Sequence, residues 1–377
     1  MPEVPPRVLV DATAVPADRG GVGRYVDELL PELVAEGGDV RVVCQQRDTA
    51  HYARLVGADR VRSAPGWAAS VPGRLVWEQL RLPTEARAAG ADVVHCPHYT
   101  MPLATRLPVV VTLHDATFFT DPGVHLALKA RFFRAWTRIS LRRARRTVTP
   151  SAATRDELVR VAGARPDRVD VVHHGVDLLR FARPIPDQVA AARSAAGIGD
   201  GPYLAFLGTL EPRKNVPALV RAWVRVCASR SQPPTLVLAG GRGWDDEVDR
   251  AVAEVPADLR LVRSGYVPLE HLAGLLGVAE LVAYPSSAEG FGLPVLEAMA
   301  CGAAVLTTRR LALPEVGGEA VAYCEPEVTD IERGIRALLD DPAERVRLAE
   351  AAVARAATFT WAAAARGHLA SYAGAVA

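Results

Sequence analysis

Leu281-Val282-Ala283-Tyr284-Pro285-Ser286-Ser287-Ala288-Glu289-Gly290-Phe291-Gly292-Leu293-Pro294-Val295-Leu296-Glu297 contains, within a few turns of chain, the pattern on which the fold turns. Four apolar residues in a row mark a strand covered on both faces, because a strand with one face in water alternates instead. Small residues and two glycines then break the run. Pro294 suits the first turn of a helix beginning near Leu293, where its missing N–H is not needed. Strand, glycine loop and helix together make the unit of a parallel α/β sheet.

The same alternation runs along the chain in both directions from this stretch. Earlier strands are expected at Arg7–Asp11, Val40–Cys44, Val93–Cys96, Val109–His114, Thr147–Pro150 and Val169–His173. Later ones are expected at Tyr203–Leu207, Thr235–Ala239, Leu259–Val262, Leu281–Tyr284, Ala303–Thr307 and Ala320–Tyr323. Six followed by six predicts two Rossmann-like, doubly wound α/β domains. The length of 377 residues agrees, since single cores usually stop growing below that size. Between the two sets, Leu178 to Pro202 is rich in proline and glycine, with a short helix expected over Gln188–Ala196. The domains drawn from this are residues 1–180 and 181–358, followed by a terminal helix over 359–377 that Thr360 can cap. Such sheets bind ligands at the carboxyl ends of their strands, so the site is expected in a cleft which the two domains face.

Composition narrows the class. Half of the residues are apolar and 23% are charged, enough for packed cores and a solvated surface. The front half, residues 1–185, holds 26 basic and 20 acidic side chains, and the back half holds 18 and 23. A basic front half suits contact with anionic material, and local salt bridging is the other reading. Cys44, Cys96, Cys227, Cys301 and Cys324 are scattered without a C-x-x-C pair, which argues against a disulfide framework or a zinc site. Met1–Pro6 has no charged and apolar signal pattern, and no apolar stretch approaches the ~20 residues that span a bilayer, so a cytoplasmic protein is expected.

Four loops could carry chemistry. Arg19-Gly20-Gly21-Val22-Gly23-Arg24-Tyr25 lies after the opening strand and before a helix expected over Tyr25–Glu36. Its glycines admit a ligand close to backbone amides, and a helix start favours an anion. It is not the dinucleotide fingerprint, and no acid closes the second strand at Cys44-Gln45-Gln46, so NAD is disfavoured. His114-Asp115 ends a strand, where an imidazole that both donates and accepts suits sugar hydroxyls. No G-x-S-x-G elbow accompanies it, so hydrolase chemistry is unsupported. Gly208-Thr209-Leu210-Glu211-Pro212-Arg213-Lys214-Asn215 sets two adjacent cations after a strand, able to neutralise a diphosphate as a leaving group. Lys214 is one of only two lysines in the chain. In Glu289 to Glu297, one carboxylate can take sugar hydroxyls and the other a ribose diol. The amides of Phe291, Gly292 and Leu293 point at the same ligand. A glycosidase acid pair is the alternative, and it fits poorly with a helix start built for phosphate.

These motifs resemble the large retaining GT-B glycosyltransferase family 4, which includes bacterial mannosyltransferases of cell-envelope and polysaccharide assembly. The resemblance covers essentially the whole chain. It rests on Gly20 through Tyr25, His114-Asp115, Ser151 through Leu158, His174-Gly175-Val176-Asp177, Glu211 through Asn215, Gly265-Tyr266-Val267 and Glu289 through Gly302. The E-x7-E spacing of Glu289 and Glu297 is its most specific part. The resemblance implies that Glu289 meets the 3- and 4-hydroxyls of the donor sugar and Glu297 the ribose hydroxyls. By the same resemblance Gly208, Arg213 and Lys214 bind the diphosphate, His114 lies near the sugar's 6-hydroxyl, and Gly21 lets its loop close on diphosphate or acceptor. The stretch around Trp361 looks like the family helix that crosses back onto the first domain. Several members carry arginine directly after the strand-end glycine, where this chain has Gly208-Thr209, so Arg213 becomes the single guanidinium there.

What the resemblance implies for function is transfer of a hexose, with mannose from GDP-mannose favoured, to a lipid-linked or polysaccharide hydroxyl. Alternatives are another NDP-sugar transferred to a small metabolite, and a GT-B epimerase. No Asp-x-Asp occurs in the chain, so metal-independent chemistry without a cofactor is expected. Asp245-Asp246 read as helix caps. Lys129 to Arg146 interleaves seven arginines with Phe132, Phe133, Trp136 and Ile139. It is either a basic amphipathic helix resting on an anionic membrane or a domain helix with its aromatics packed inward. No nucleic-acid module accompanies it.

Overall fold

The computed structural model describes residues 5–17, 19–120 and 127–377, so most of the Met1–Pro6 stretch lies outside it. The chain divides into two compact units, Met1–Gly175 with Thr360–Ala377, and Val176–Phe359. The break falls between Gly175 and Val176 rather than after residue 180. The reason is packing: Val176, Phe181 and Phe359 are buried in the core of the second unit, and the Val176 N–H donates to the Phe359 carbonyl at 3.0 Å.

The first unit is a parallel sheet of β1 (Val8–Asp11), β2 (Val40–Cys44), β3 (Val61–Ser63), β4 (Val93–Cys96), β5 (Val109–Thr112), β6 (Arg146–Thr149) and β7 (Val169–Val171). Their spatial order is β3-β2-β1-β4-β5-β6-β7, which reverses direction between β1 and β4. Val10 lies opposite Val42 on one side and His95 on the other. One face is covered by the helix Gly20–Ala35, through Tyr25, Leu29 and Leu33, and by the terminal helix Trp361–Val376, through Tyr372. The other face buries Trp77, Phe118 and Leu158. The strand β3 was not expected. It has three residues and one apolar side chain, and edge strands are held by the ladder rather than by burial.

The second unit is a parallel sheet of β8 (Tyr203–Leu207), β9 (Thr235–Ala239), β10 (Leu261–Gly265), β11 (Leu281–Tyr284), β12 (Val305–Thr308) and β13 (Ala322–Cys324). The order is β10-β9-β8-β11-β12-β13, reversing between β8 and β11. Leu204 of β8 lies opposite Leu236 of β9 and Leu281 of β11. Every residue of β8 is buried, and each large side chain such as Leu204 or Phe206 contributes roughly 2 kcal/mol of burial. That anchors the loops at the carboxyl end. The helix Pro186–Ala196 belongs to this unit rather than to a linker, with Ala192 and Ala196 in its core.

Two Rossmann-like α/β domains are therefore present. Within Lys129 to Arg146, the helix Ala127–Arg143 packs aromatics against the first unit. Phe133 stacks on Phe118 at 4.6 Å, and Phe133 and Trp136 lie against the core. Arg131, Arg142, Arg143 and Arg145 remain exposed, while Arg146 is tied to Asp170. Among the described residues, no helix is long and apolar enough to cross a membrane. All five cysteines are buried and free.

Candidate active site

In the second unit the loops after β8 and β11 meet where the strand order reverses, the place at which open α/β sheets leave room for a ligand. The β8 loop closes with a single 3-10 turn, Pro212–Lys214. Asn215 then takes a left-handed φ of 58°, and its side-chain amide donates to the Pro326 carbonyl at 2.7 Å before the helix Val216–Cys227 begins. This turn aims Arg213 and Lys214 at the β11 loop. The two loops are stitched together at the Arg213 carbonyl, which accepts from the Ser287 N–H at 2.8 Å and the Ser287 hydroxyl at 3.1 Å.

Glu289 sits at the centre. Its Oε2 meets Arg213 Nη1 at 2.7 Å. Its Oε1 accepts from Lys214 Nζ at 2.6 Å, from the Ser286 hydroxyl at 2.6 Å and from the Tyr284 hydroxyl at 2.9 Å. Arg213 Nε also pairs with Glu211 at 2.8 Å. Lys214 and Glu289 are each only 6% exposed. Burial alone would raise the Glu289 carboxyl, but Arg213, Lys214 and the Ser286 hydroxyl hold it at about 2. Burial, with Arg213 beside it, lowers the Lys214 ammonium, and Glu289 and Glu211 oppose that. Three donors saturate Oε1, so a further hydroxyl would reach Glu289 through Oε2.

The helix Leu293–Ala300 starts at Gly292, whose φ of 103° suits only glycine without strain. First-turn N–H groups have no partner inside a helix, which is why the amides of Gly292 and Leu293 can serve an anion. The Phe291 side chain is buried against Phe359, with centroids 5.9 Å apart, so Phe291 can offer its backbone only. Glu297 is buried at 2% exposure on the same helix. Gly208 has a φ of 152°. A Cβ on Gly240 would lie 2.1 Å from the Gly208 carbonyl oxygen, so the ends of β8 and β9 touch backbone to backbone. Asp245 caps the helix Asp246–Ala253 by accepting from the Glu247 N–H at 3.1 Å.

The remaining candidates belong to the first unit. The helix there begins at Gly20, not Tyr25, so Gly20 through Arg24 form its first turns rather than a loop. Docking of Tyr25, Val26, Leu29 and Leu30 on the sheet overrides the poor helix propensity of glycine. Gly21 is exposed, and a Cβ there would touch nothing, whereas one on Gly23 would meet the Arg19 Cβ at 2.6 Å. His114 is half-buried and its Nε2 lies 2.7 Å from the Pro97 carbonyl. That carbonyl places the proton on Nε2 and leaves Nδ1 as the acceptor. Burial lowers its pKa. Asp115 Oδ1 accepts from the Thr117 N–H at 3.0 Å and hydroxyl at 2.8 Å, holding the start of the turn Thr117–Thr120.

Sequence reasoning missed what surrounds these residues. Tyr284 and Ser286 were visible only as a strand end and a small residue, yet both bond Glu289. Around His114 lies a ring cluster: Tyr25 at 5.1 Å, His174 at 5.9 Å and His98 at 6.3 Å. Behind it, a buried chain runs from Tyr372 through His95, Thr112 and Tyr25 to His368, with contacts of 2.9, 2.9, 3.0 and 2.7 Å. No group of three or more His, Cys, Asp or Glu residues is placed to hold a metal ion among the described residues.

Comparison with known proteins agrees with this geometry. Residues 19–180 match "Glycosyltransferase Family 4" and residues 190–355 match "Glycosyl transferases group 1". The chain is 31% identical to the O-antigen chain mannosyltransferase B of Escherichia coli over 359 residues, covering 90% of this chain and 92% of that protein. It is 37% identical to a D-inositol 3-phosphate glycosyltransferase of Frankia alni over 243 residues, 60% of this chain and 58% of that protein. In fold it is similar to HepE of Anabaena, solved in complex with UDP-glucose, with a TM-score of 0.75 at 17% identity over 97% of this chain and 98% of that one. Similarity to the mannosyltransferase along nearly all of both chains, together with the two family matches, makes this chain a member of glycosyltransferase family 4.

Proposed function

We propose that the chain is a retaining hexosyltransferase that needs no metal ion or cofactor. It moves mannose, from GDP-mannose as the favoured donor, onto a hydroxyl of a lipid-linked or polysaccharide acceptor. The observation that carries the nucleotide-sugar reading is the buried Arg213–Lys214–Glu289 cluster, held beside a helix start at the reversal of the sheet. The mannose part rests on similarity to a protein named as an O-antigen chain mannosyltransferase.

In this reading the diphosphate lies against Arg213, Lys214, the Gly208 turn and the amides of Gly292 and Leu293. An ammonium has three protons to donate, and Lys214 spends two on Tyr284 and Glu289, so a third is left for a phosphate oxygen. Glu289 takes sugar hydroxyls through Oε2, Glu297 takes the ribose diol, and His114 offers Nδ1 to a sugar hydroxyl. The bond from the anomeric carbon to the phosphate oxygen breaks as the acceptor oxygen bonds to the same face of that carbon. The acceptor proton passes to the departing phosphate oxygen. Arg213 and Lys214 hold the charge that grows there, supplying the electrostatic stabilisation that transfer needs.

A panel of nucleotide sugars tests this, with release of the nucleoside diphosphate as the readout. GDP-mannose should be consumed, the product should keep the anomeric configuration by NMR, and chelators should leave the rate unchanged. A variant with both Lys214 and Glu297 replaced by alanine that still turns over its donor normally overturns the reading. A second acceptor class, a small phosphorylated polyol, is favoured by the similarity to proteins named as D-inositol 3-phosphate glycosyltransferases. Competition between such a polyol and an oligosaccharide acceptor separates the two.

A further inference from the structure

Tyr284 closes β11, and its hydroxyl lies between the two charged side chains of the loop site. Lys214 Nζ donates to the Tyr284 oxygen, and the Tyr284 hydroxyl donates to Glu289 Oε1 at 2.9 Å. Chemistry dictates that direction. An ammonium has no lone pair and a carboxylate has no proton, so the phenol must accept from one and give to the other. Burial, with Glu289 beside it, keeps the phenol proton in place well above the ordinary range. With the direct Lys214–Glu289 contact, the three groups close a ring in which the phenol is the only neutral member.

The phenol cannot swing out of this ring. Tyr284 is 1% exposed, its ring is stacked on Phe206 of β8 at 5.7 Å and 14°, and its carbonyl accepts from the Thr307 hydroxyl at 2.8 Å. Strands β8 and β11 are neighbours, so the stack fixes the hydroxyl against the turn that carries Lys214. Lys214 itself is a flexible four-carbon stem on a one-turn element, and a point charge needs a wall to hold it at one place.

We propose that Tyr284 is a positioning residue for the transfer reaction, its hydroxyl fixing where the Lys214 ammonium meets the donor diphosphate. The proposal rests on the reading that Lys214 binds that diphosphate. Tyr284→Phe keeps the ring and its stack but removes both hydrogen bonds. The groups facing the ammonium are Arg213 and Glu211 from its own loop, and Tyr284 and Glu289 from β11 and the loop that follows. Arg213 and burial disfavour its charge, while Glu289 and Glu211 favour it. Removing an acceptor from this set makes the proton easier to lose. The alkaline limb of kcat/KM therefore moves to lower pH.

The chain's lysine count makes the test direct. Lys129 and Lys214 are its only lysines, so a full-length protein labelled with 13C at lysine Cε gives two resonances, with exposed Lys129 as the internal reference. Titration of wild type and Tyr284→Phe should show the Lys214 midpoint falling in the variant, by about half a unit or more, with Lys129 unmoved. With GDP-mannose as donor, kcat/KM should drop about 10- to 100-fold, the range for a lost hydrogen bond to a charged group, and Tm should stay within a few degrees. A Tyr284→Phe protein with an unchanged Lys214 midpoint and wild-type kcat/KM overturns the positioning role. Lys214→Ala and the addition of GDP or UDP to the labelled wild type address the underlying reading separately. If Lys214→Ala keeps turnover and neither nucleotide moves the Lys214 resonance, the diphosphate assignment itself is wrong. If Lys214→Ala is inactive while Tyr284→Phe is normal, only the role of Tyr284 falls.

Discussion

A side chain on Gly240 would have its Cβ 2.1 Å from the carbonyl oxygen of Gly208, a distance at which the two backbones must part. The φ of Gly240 is 137°, which adds strain for any other residue. Gly240→Ala should therefore cost on the order of 3 kcal/mol or more in urea unfolding and pull the turn at Gly208 out of place. Its neighbour supplies the control. A Cβ on Gly241 meets only Thr209 Cγ2 at 4.0 Å, so Gly241→Ala should be close to neutral. Equal destabilisation by the two would show that the contact with Gly208 is not what matters.

Glu289→Gln keeps shape and removes charge. Buried Lys214 then loses its carboxylate while Arg213 keeps Glu211, and breaking a buried pair from one side typically costs about 3–5 kcal/mol. Binding should move the other way. With less competition for Lys214 and Arg213, calorimetric titration should find GDP or UDP bound at least as tightly as by wild type, while sugar turnover falls about 100-fold. Affinity and turnover falling together would instead mean that Glu289 shapes the phosphate site rather than the sugar site.

Acid should open the first unit before the second. His95, His174 and His368 are fully or nearly fully buried, and burial holds His95 and His174 well below 6.5 and His368 at about 4. Below pH 6.5 the unfolded chain takes protons that the fold refuses, so stability declines as pH falls from 6.5 towards these values. At pH 5 each costs roughly 2 kcal/mol. Glu289, held at about 2 against an ordinary 4.5, keeps its contribution down to pH 4.5 and loses it only as pH falls through 2. Hydrogen exchange at pH 7 and 5, corrected for intrinsic rates, should show protection lost first in peptides of residues 5–175 and 360–377. Earlier loss within 176–359 would contradict this.

The chain Tyr372–His95–Thr112–Tyr25–His368 should behave as one unit. His368 Nδ1 donates to the Ala364 carbonyl at 2.8 Å, so Nε2 accepts from Tyr25, and donors can then run in one direction to Tyr372. Tyr25→Phe and Tyr372→Phe should each destabilise by about 1–3 kcal/mol, and the double variant by less than the sum. Strict additivity would mean the links are independent.

Much of the architecture can be read from the chain because doubly covered strands are continuous apolar runs, and proline or glycine punctuates them. Val61–Ser63 escaped because an edge strand of three residues buries almost nothing. Gly20 through Arg24 looked like a loop because local propensity speaks against helix there, and only the docking of Tyr25 and Leu29 reverses it. Arg213, Lys214 and Glu289 could be named from their loops. Their meeting depends on β8 lying beside β11, far apart in sequence, and that neighbour relation is what hid Tyr284 and Ser286.

The hydrogen bond between Val176 and Phe359 joins the first and last residues of the second unit. Gly175 in turn lies so close to the chain at Thr360 and Trp361 that a Cβ there would come within 2.1 Å of the Trp361 nitrogen. Topologically, then, the protein is one fold interrupted by another through a pair of touching splice points. The gene segment for 176–359 is a portable cassette: excised whole, its ends already adjoin, and what remains can be resealed with a short bridge.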